Sequence, residues 1–415
     1  MIHDSVDKAK KGGGCPSQGN GQDMAARQKL EDDAIKASLS KIKHKIFVLS
    51  GKGGVGKSSV SANLAASLAK KGYKLTFMGW DRRKKYPKIF IEKDIKFNMI
   101  FSGWGFSNKW LVIALPLWLL KLFIKLIRLN KKQYPVIMAI DFDAALSQAF
   151  AQRFNKIPFI YNIRDNFAMR TTLPKLLRPL IERLDKFIIR KAESIIVPDE
   201  SRITADNDVE RNKFNVIYNA AIEILPPNDI SKDRPFTVYA MGYLMKIRGV
   251  ELLLNASIKL PNVNFLMAGV VHQDDLMKRI ETTKNVDYRG FLKPEDALKL
   301  CFESDVIFTF YDPVSEINRK AASNKWFDAM MAKKPILVNE ELERSSWVLE
   351  HDMGYTCPYG DVKALTDIIE HIRTHPEEAS EKGKKGRKLF EQGYSWNVSI
   401  EKINNIIIDV SKNAI

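Results

Sequence analysis

Cysteine is scarce in this chain: three residues among 415, Cys15, Cys301 and Cys357, odd in number and far apart. That scarcity excludes a disulfide framework and any Cys-x-x-Cys metal or redox pair, and predicts a reducing, cytoplasmic compartment. No apolar run reaches the roughly 20 residues that a membrane-spanning helix needs. The polar first forty residues lack the apolar stretch of a secretory signal. Acidic charge is in deficit, with 49 Asp plus Glu against 66 Lys plus Arg and a net charge of +17. This imbalance implies an anionic partner: nucleic acid, lipid headgroups or a phosphorylated small molecule. Helix-turn-helix, RNP and zinc-finger patterns are missing and the basic residues are dispersed, which argues against nucleic acid. Apolar residues at 45% and charged residues at 28% are ordinary for a globular protein with a real core. At about 150 residues per domain the length allows two or three domains.

Residues 1–40, rich in Gly, Lys, Asp, Gln and Ser, read as a flexible polar tail with one helical stretch through Met24–Ser38. Order is expected from Lys45-Ile-Phe-Val-Leu-Ser50, an apolar run suited to a buried parallel strand. A glycine-rich turn and a helix from Ser58 to Lys71 follow, with Gly72 as the helix stop. Apolar runs then recur at 75–79, 136–140, 159–163 and 194–198, separated by helical or loop material. Strands alternating with helices mean a parallel α/β sheet. A turn-rich linker covers 223–235, after which the alternation restarts with strands at 236–240, 264–268, 286–289, 306–310 and 335–338. The expected architecture is two Rossmann-like domains facing across a cleft: an N-terminal domain over 41–222, a C-terminal domain over 236–390 and a closing helix over 391–415. Ligands in such sheets bind at strand C-terminal ends.

Gly51-Lys52-Gly53-Gly54-Val55-Gly56-Lys57-Ser58-Ser59 matches the phosphate-loop pattern, placed between a strand and a helix as that pattern requires. Its backbone N–H groups can wrap phosphate oxygens, Lys57 supplies a point charge, and Ser58 would ligate Mg²⁺. GKGGVGKSS with the following VSANLAASLAKKGYKL resembles the deviant Walker A segment of Mrp, MinD and ParA ATPases, and the tail with Gly14-Cys15-Pro16-Ser17 is similar to Mrp-type iron–sulfur carriers. The resemblance implies ATP and Mg²⁺ at the loop, with Lys52 reaching nucleotide across a dimer. It stops near residue 75. The later Asp-x-Pro-Pro-Gly-type switch and the paired cluster cysteines have no counterpart, so no iron–sulfur cluster is expected and hydrolysis should be poor. The same βα unit could instead serve only as the first strand and helix of a sheet.

From Leu75 onward the chain resembles retaining family-4-type glycosyltransferases of the GT-B fold. LTFMGWDRRKKYPK (75–88), AIDFDAALSQAFAQRFNKIPFIYNIRDNFA (139–168) and VIYNAA (216–221) are similar to acceptor-domain and crossover segments. YAMGYLMKIRGVELLLNA (239–256), NVDYRGFLKPEDALKLCFESDVIFTFY (285–311), NKWFDAMMAKKPILV (324–338), MGYTCPYGDVKALTDII (353–369) and GYSWNVSIEKI (393–403) follow in order. The resemblance implies transfer of a sugar from a nucleotide-diphosphate donor to a glycan or lipid-linked acceptor, with retention. A diphosphate leaving group accumulates negative charge, which preoriented cations and N–H groups can stabilise. Lys246 and Arg248, just beyond a turn at Gly242, are the candidate catalytic cations. The helix starting at Asn324 or Lys325 would point its first amides at the same phosphates. By family position Asp328 would hold the nucleotide's ribose hydroxyls. Tyr243 stands where the family has arginine, and Lys320 where it has a further acid. Asp165 would polarise an acceptor, steady the transferred sugar, or merely cap the next helix; these readings stay open. His272 and His351 receive no role.

Trp110–Leu120 is apolar throughout, and Lys121, Lys125 and Arg128 then recur on one helix face up to Lys132. Two readings stay open over 110–132: an interfacial helix on anionic lipid at the inner face of the cell membrane, or an amphipathic helix packed on the sheet. Overall the chain reads as a chimera joined near Lys71–Thr76, with a phosphate-loop βα unit in place of a glycosyltransferase's first βα unit. Three functions remain: a glycosyltransferase, an ATP-binding carrier of the Mrp type, or an inactive binding module.

Overall fold

The computed structural model describes residues 45–412, apart from 51–56, 82–83, 85, 93–94, 102–107, 165–166, 168–174, 219, 221, 232 and 322. The tail and its expected helix, the glycine turn of the phosphate loop and Asp165 therefore lie outside the described residues. Two sheets follow one another along the chain, the front one parallel except at its β3 edge and the rear one parallel throughout.

The front sheet has eight strands in the order β3-β4-β2-β1-β5-β6-β7-β8. They are β1 (Lys45–Ser50), β2 (Lys74–Trp80), β3 (Ile89–Glu92), β4 (Ile95–Ile100), β5 (Val136–Ile140), β6 (Phe159–Asn162), β7 (Ser194–Val197) and β8 (Phe214–Val216). Its helices are α1 (Lys57–Lys70), α2 (Asn108–Ile127), α3 (Asp141–Asn155) and α4 (Arg178–Lys191). β1 lies in the middle, with Ile46 in register with Leu75 on one side and with Val136 on the other. β3 runs antiparallel to β4 and forms a hairpin with it at the sheet edge, within a stretch that the apolar pattern assigns to helical or loop material.

The rear sheet is wholly parallel, in the order β11-β10-β9-β12-β13-β14. Its strands are β9 (Thr237–Leu244), β10 (Asn264–Val271), β11 (Val286–Tyr288), β12 (Val306–Phe308), β13 (Ile336–Asn339) and β14 (Gly354–Cys357). The helices are α5 (Val250–Lys259), α6 (Asp274–Thr282), α7 (Pro294–Phe302), α8 (Asn324–Met331), α9 (Ser345–Glu350), α10 (Val362–Thr374) and α11 (Pro376–Leu389). The linker is pinned to this half by Arg234, whose guanidinium forks onto Asp305 with both contacts at 2.6 Å. Such bidentate pairs fix geometry as well as charge.

The final helix, α12 (Trp396–Lys412), returns to the front sheet. Ile400, Ile403, Ile407 and Val410 join Leu64, Leu68, Leu75 and Val136 in one buried cluster. Polar contacts fix the crossing. Trp396 Nε1 donates to Ser67 Oγ at 2.9 Å, Tyr73 Oη donates to Asn404 Oδ1 at 2.7 Å, and Lys71 pairs with Glu401. The phosphate-loop helix and the last helix of the chain thus lie side by side on one face of the sheet.

The halves also touch directly. Asp199, beyond β7, pairs with Arg344, and Glu223 at the start of the linker pairs with Arg387. Arg344 also lies over the rings of Tyr218, at 5.4 Å, and Trp347, at 5.2 Å.

α2 ends at Ile127, earlier than the sequence pattern suggested. Ala114, Trp118, Leu122 and Leu126 form its buried face. Trp118 stacks on Trp80 with ring centres 5.4 Å apart. Leu117, Leu120 and Ile124 face outward, at 44%, 55% and 37% exposure. The helix therefore packs on the sheet while keeping an apolar outer ridge, and no helix among the described residues is long and apolar enough to cross a membrane.

Because Ile407 is fully buried where α12 meets the front sheet, Ile407→Ala should lower unfolding free energy by about 2–5 kcal/mol. Urea titration followed by tryptophan fluorescence measures this. A loss below about 1 kcal/mol would mean that α12 is dispensable to the front core.

Candidate functional site

The rear site is built at the C-terminal ends of β9, β12 and β13. The sequence reading placed Gly242 in a turn after a strand ending at Ala240. Instead β9 continues to Leu244, and Gly242 pairs in register with Gly269 of β10. Both have positive φ, +100° and +148°. A Cβ on Gly269 would lie 1.8 Å from the Gly242 carbonyl oxygen. Glycine at 269 lets the strands approach this closely and glycine at 242 takes the positive φ without strain, so the ladder extends past the expected end.

Beyond β9 the chain makes a single helical turn over Lys246–Arg248. Its two cations have different fates. Lys246 pairs with Asp275 of α6 at 2.7 Å, a contact that raises the ammonium's pKa through that hydrogen bond. Arg248 is half-buried, its guanidinium 4.0 Å from the centre of the Tyr311 ring, and its Nη1 is buried without a hydrogen-bond partner. A buried cationic donor left unsatisfied is costly unless a ligand completes it.

Tyr311 connects this cation to α8. Its Oη donates to Ser323 Oγ at 3.0 Å, and Ser323 caps α8 by accepting from the Lys325 N–H at 3.3 Å. The helix is anchored from below, where Trp326 Nε1 donates to Thr309 Oγ1 at 2.8 Å. The Lys325 side chain folds back over β9. Its Cε and Nζ both lie 3.3 Å from where a Cβ on Gly242 would stand. Neither Arg248 nor Lys325 is in an ion pair among the described residues. Asp328, one turn along α8 and half-buried, has its carboxyl pushed up to about 6 by burial, while the Lys325 charge pulls it down.

The structure thus gathers Gly242, Arg248, Lys325 and Asp328, places Asn324 exposed at the head of α8, and turns Lys246 toward α6. The sequence reading credited Lys325 with its backbone amide. The side-chain position came only from the packing of α8 against β9. Tyr311 was also missed, because a lone tyrosine after a strand carries no signal. Tyr243 points outward, 51% exposed. Lys320 pairs with Glu316 at 2.8 Å.

In the front half Lys57, Ser58 and Ser59 open α1, whereas Gly51, Lys52, Gly53, Gly54, Val55 and Gly56 lie outside the described residues. Two aspartates flank the position where that loop begins. Ser50 is in register with Gly79 of β2 and with Ile140 of β5. Asp81 follows β2, and Asp141 follows β5 directly. Both are buried. Asp141 has a φ of +66°, a strained backbone of the kind found at functional positions. Its Oδ1 accepts from the Arg164 N–H at 3.3 Å. The sequence reading sought an aspartate in a contiguous motif and passed over Asp141, whose relevance depends on β5 lying beside β1. No group of three or more His, Cys, Asp or Glu among the described residues could hold a metal on its own.

Comparison with known proteins divides along the same line. Residues 41–85 match the family model described as NUBPL iron-transfer P-loop NTPase, and residues 248–405 match the Glycosyl transferase-like model. The front segment is 46% identical over 72 residues to an iron–sulfur cluster carrier protein of Methanococcus maripaludis, covering 17% of this chain and 25% of that protein. It is 60% identical over 67 residues to a cytosolic Fe–S cluster assembly factor NUBP2 homolog of Dictyostelium discoideum, covering 16% and 25%. The chain therefore spans about a quarter of the length of these curated relatives.

Solved structures match far more of it. Sucrose-phosphate synthase from Thermosynechococcus elongatus aligns with a TM-score of 0.69 at 15% identity, over 89% of this chain and 99% of that one. HepE from Anabaena, in complex with UDP-glucose, aligns with a TM-score of 0.64 at 16% identity, over 88% and 99%. The fold is GT-B: two Rossmann-like domains facing across a cleft, with the phosphate-loop βα unit as the first unit of the front domain.

Gly269→Ala tests the glycine pair. The methyl group would collide with the Gly242 carbonyl, so β9 and β10 must part at their C-terminal ends. The expected outcome is a loss of more than about 2 kcal/mol in chemical denaturation, with faster amide exchange at Gly242 and Tyr243. Unchanged exchange there would contradict the close approach.

Proposed function

We propose that this chain is a retaining glycosyltransferase that moves a hexosyl group from a nucleotide-diphosphate sugar to a glycan or lipid-linked acceptor. The observation that carries this reading is the two cations without an ion pair among the described residues, Arg248 against Tyr311 and Lys325 over Gly242, at one end of the rear sheet. A departing diphosphate accumulates charge that two preplaced cations and the first amides of α8 can stabilise without reorganising. Asp328, when ionised, would accept hydrogen bonds from ribose hydroxyls. Gly242, without a side chain, leaves room for the diphosphate beside Lys325, with Asn324 at the rim. Lys246 acts at longer range, since Asp275 already neutralises it.

The match of residues 248–405 to the Glycosyl transferase-like model supports this assignment. So does the fold shared with a protein solved with UDP-glucose. Retention rests on the family-4 resemblance. In this reading 41–222 is the acceptor domain and 236–390 the donor domain. Asp165 serves the acceptor side, and the protein works in the cytoplasm, touching the inner face of the membrane through residues 110–132.

A second reading concerns the front site. Asp141, strained and buried one residue beyond the register partner of Ser50, supports binding of ATP with Mg²⁺ at Gly51–Ser59. Ser58 and Asp141 would hold the ion, which would neutralise phosphate charge when bound.

Titration of UDP, GDP and ATP by calorimetry tests both readings. Arg248→Ala and Lys325→Ala should each weaken nucleoside-diphosphate binding about 10- to 100-fold, as expected on losing a charge-assisted contact. Donor affinity should rise with pH through about 6 as Asp328 ionises. Lys325→Ala should move that rise to higher pH, because the neighbouring cation that favours the carboxylate is gone. Binding that ignores both substitutions and depends only on Lys57 would overturn the transferase reading.

For the front site, Lys57→Ala should abolish ATP binding, and Asp141→Asn should remove its Mg²⁺ dependence. ATP affinity indifferent to both would leave the βα unit a purely structural element.

A further inference from the structure

A groove of about 1030 Å³ opens on the front half between α2, α3 and α4, far along the fold from the cations at the end of the rear sheet. Its floor and walls are apolar, built from Leu119, Leu120 and Phe123 of α2, Phe150 and Phe154 of α3, and Phe187 of α4. Phe150 and Phe154 are 50% and 63% exposed. They are nevertheless ordered by ring contacts: Phe150 with Phe187 at 5.3 Å and Phe154 with Phe123 at 5.9 Å. Aromatic walls that pack on each other yet stay open to solvent form a site of the size used for small ligands, about 300–1,000 Å³.

The rim is cationic. Arg153, Lys156 and Lys191 line it, and no acidic side chain does. None of these three is in an ion pair among the described residues. On the far side of the exposed ridge of Leu117, Leu120 and Ile124 stand Lys121, which donates to the Phe101 carbonyl at 2.9 Å, and Arg128 just past the end of α2, and α2 contains no acid. The apolar opening is thus flanked on both sides by positive charge. That complements a partner with an apolar body and an anionic head. A peptide helix would fill such a groove equally well by shape, but nothing in its chemistry would require cations at both rims.

We infer that this groove takes one hydrocarbon chain of an anionic phospholipid, with the headgroup phosphate held by Arg153, Lys156 and Lys191. This rests on the membrane-contact reading of residues 110–132 and deepens it. The bilayer is met not only by the outer ridge of α2 but by a cavity that draws a single chain out of the surface. An enzyme seated this way would hold its front half at a fixed depth.

The experiment uses the full chain and two probes. Short-chain phosphatidylglycerol, kept below its micelle concentration, is titrated by NMR or calorimetry. Flotation then compares vesicles with and without phosphatidylglycerol. The groove variant is F150S/F154S and the ridge variant is L117S/I124S, all at exposed positions. Thermal melting checks that both fold.

The proposal expects saturable, one-site binding of the monomeric lipid, weakened at least about tenfold in F150S/F154S by the loss of apolar contact. L117S/I124S should bind it like the unaltered chain, and short-chain phosphatidylcholine should bind several-fold more weakly. Nucleoside-diphosphate affinity should be unchanged in F150S/F154S. Vesicle flotation without saturable monomer binding would overturn the groove while leaving surface contact standing. Neither vesicle nor monomer binding would overturn both. Equal binding of phosphatidylcholine, or displacement of the lipid by a peptide of residues 1–44, would also overturn the assignment.

Discussion

A parallel sheet is apolar on both faces and cannot be left uncovered, and that requirement organises the front half of this protein. One face of that sheet is closed by α1 and, beside it, by α12, the last helix of the chain. The phosphate-loop unit is therefore not an appendage. It occupies the centre of the sheet, in register with strands on both sides, and is clamped by a helix that belongs in sequence to the rear half. Lys71–Glu401, Tyr73–Asn404 and Ser67–Trp396 join segments more than three hundred residues apart. Any relative movement of the halves has to accommodate that clamp together with the Asp199–Arg344 pair.

The rear half uses its covered sheet differently. Its strand ends carry groups that the fold leaves incomplete: Arg248 with a buried, unpartnered nitrogen, and Lys325 folded over a glycine. Lys246, two residues from Arg248, is neutralised by Asp275, so the distinction lies in the surroundings and not in residue type. A buried cationic nitrogen without a partner at the end of the rear sheet is a more specific feature than the net charge of +17, since most surface charge is merely solvated.

Much of this was legible in the order of residues. Apolar runs separated by helical segments announced two parallel sheets, and the strand–glycine–helix pattern at 45–71 announced a phosphate loop. The β3–β4 hairpin was not legible. Its first strand is only four residues long, Ile89–Glu92, and an edge hairpin is stabilised by its neighbour more than by its own pattern. The extent of β9 was equally hidden. Gly242 reads as a break in any window, and only its partner Gly269, twenty-seven residues on, turns that break into a close strand contact.

The sequence by itself determined which segments are buried, because burial on two faces demands unbroken apolar runs. It also carried the phosphate-loop pattern, because glycine, lysine and serine stand there at a fixed spacing that the P-loop NTPase family model matches. Tertiary structure alone decided which of those groups stand together. Asp141 gains its place beside the phosphate-loop strand from strand order, Lys325 gains its place over Gly242 from the packing of α8, and the basic-rimmed groove exists only where α2, α3 and α4 meet. Side chains far apart in sequence converge through contacts that no local pattern encodes, since the free energy that brings them together comes from burying other residues.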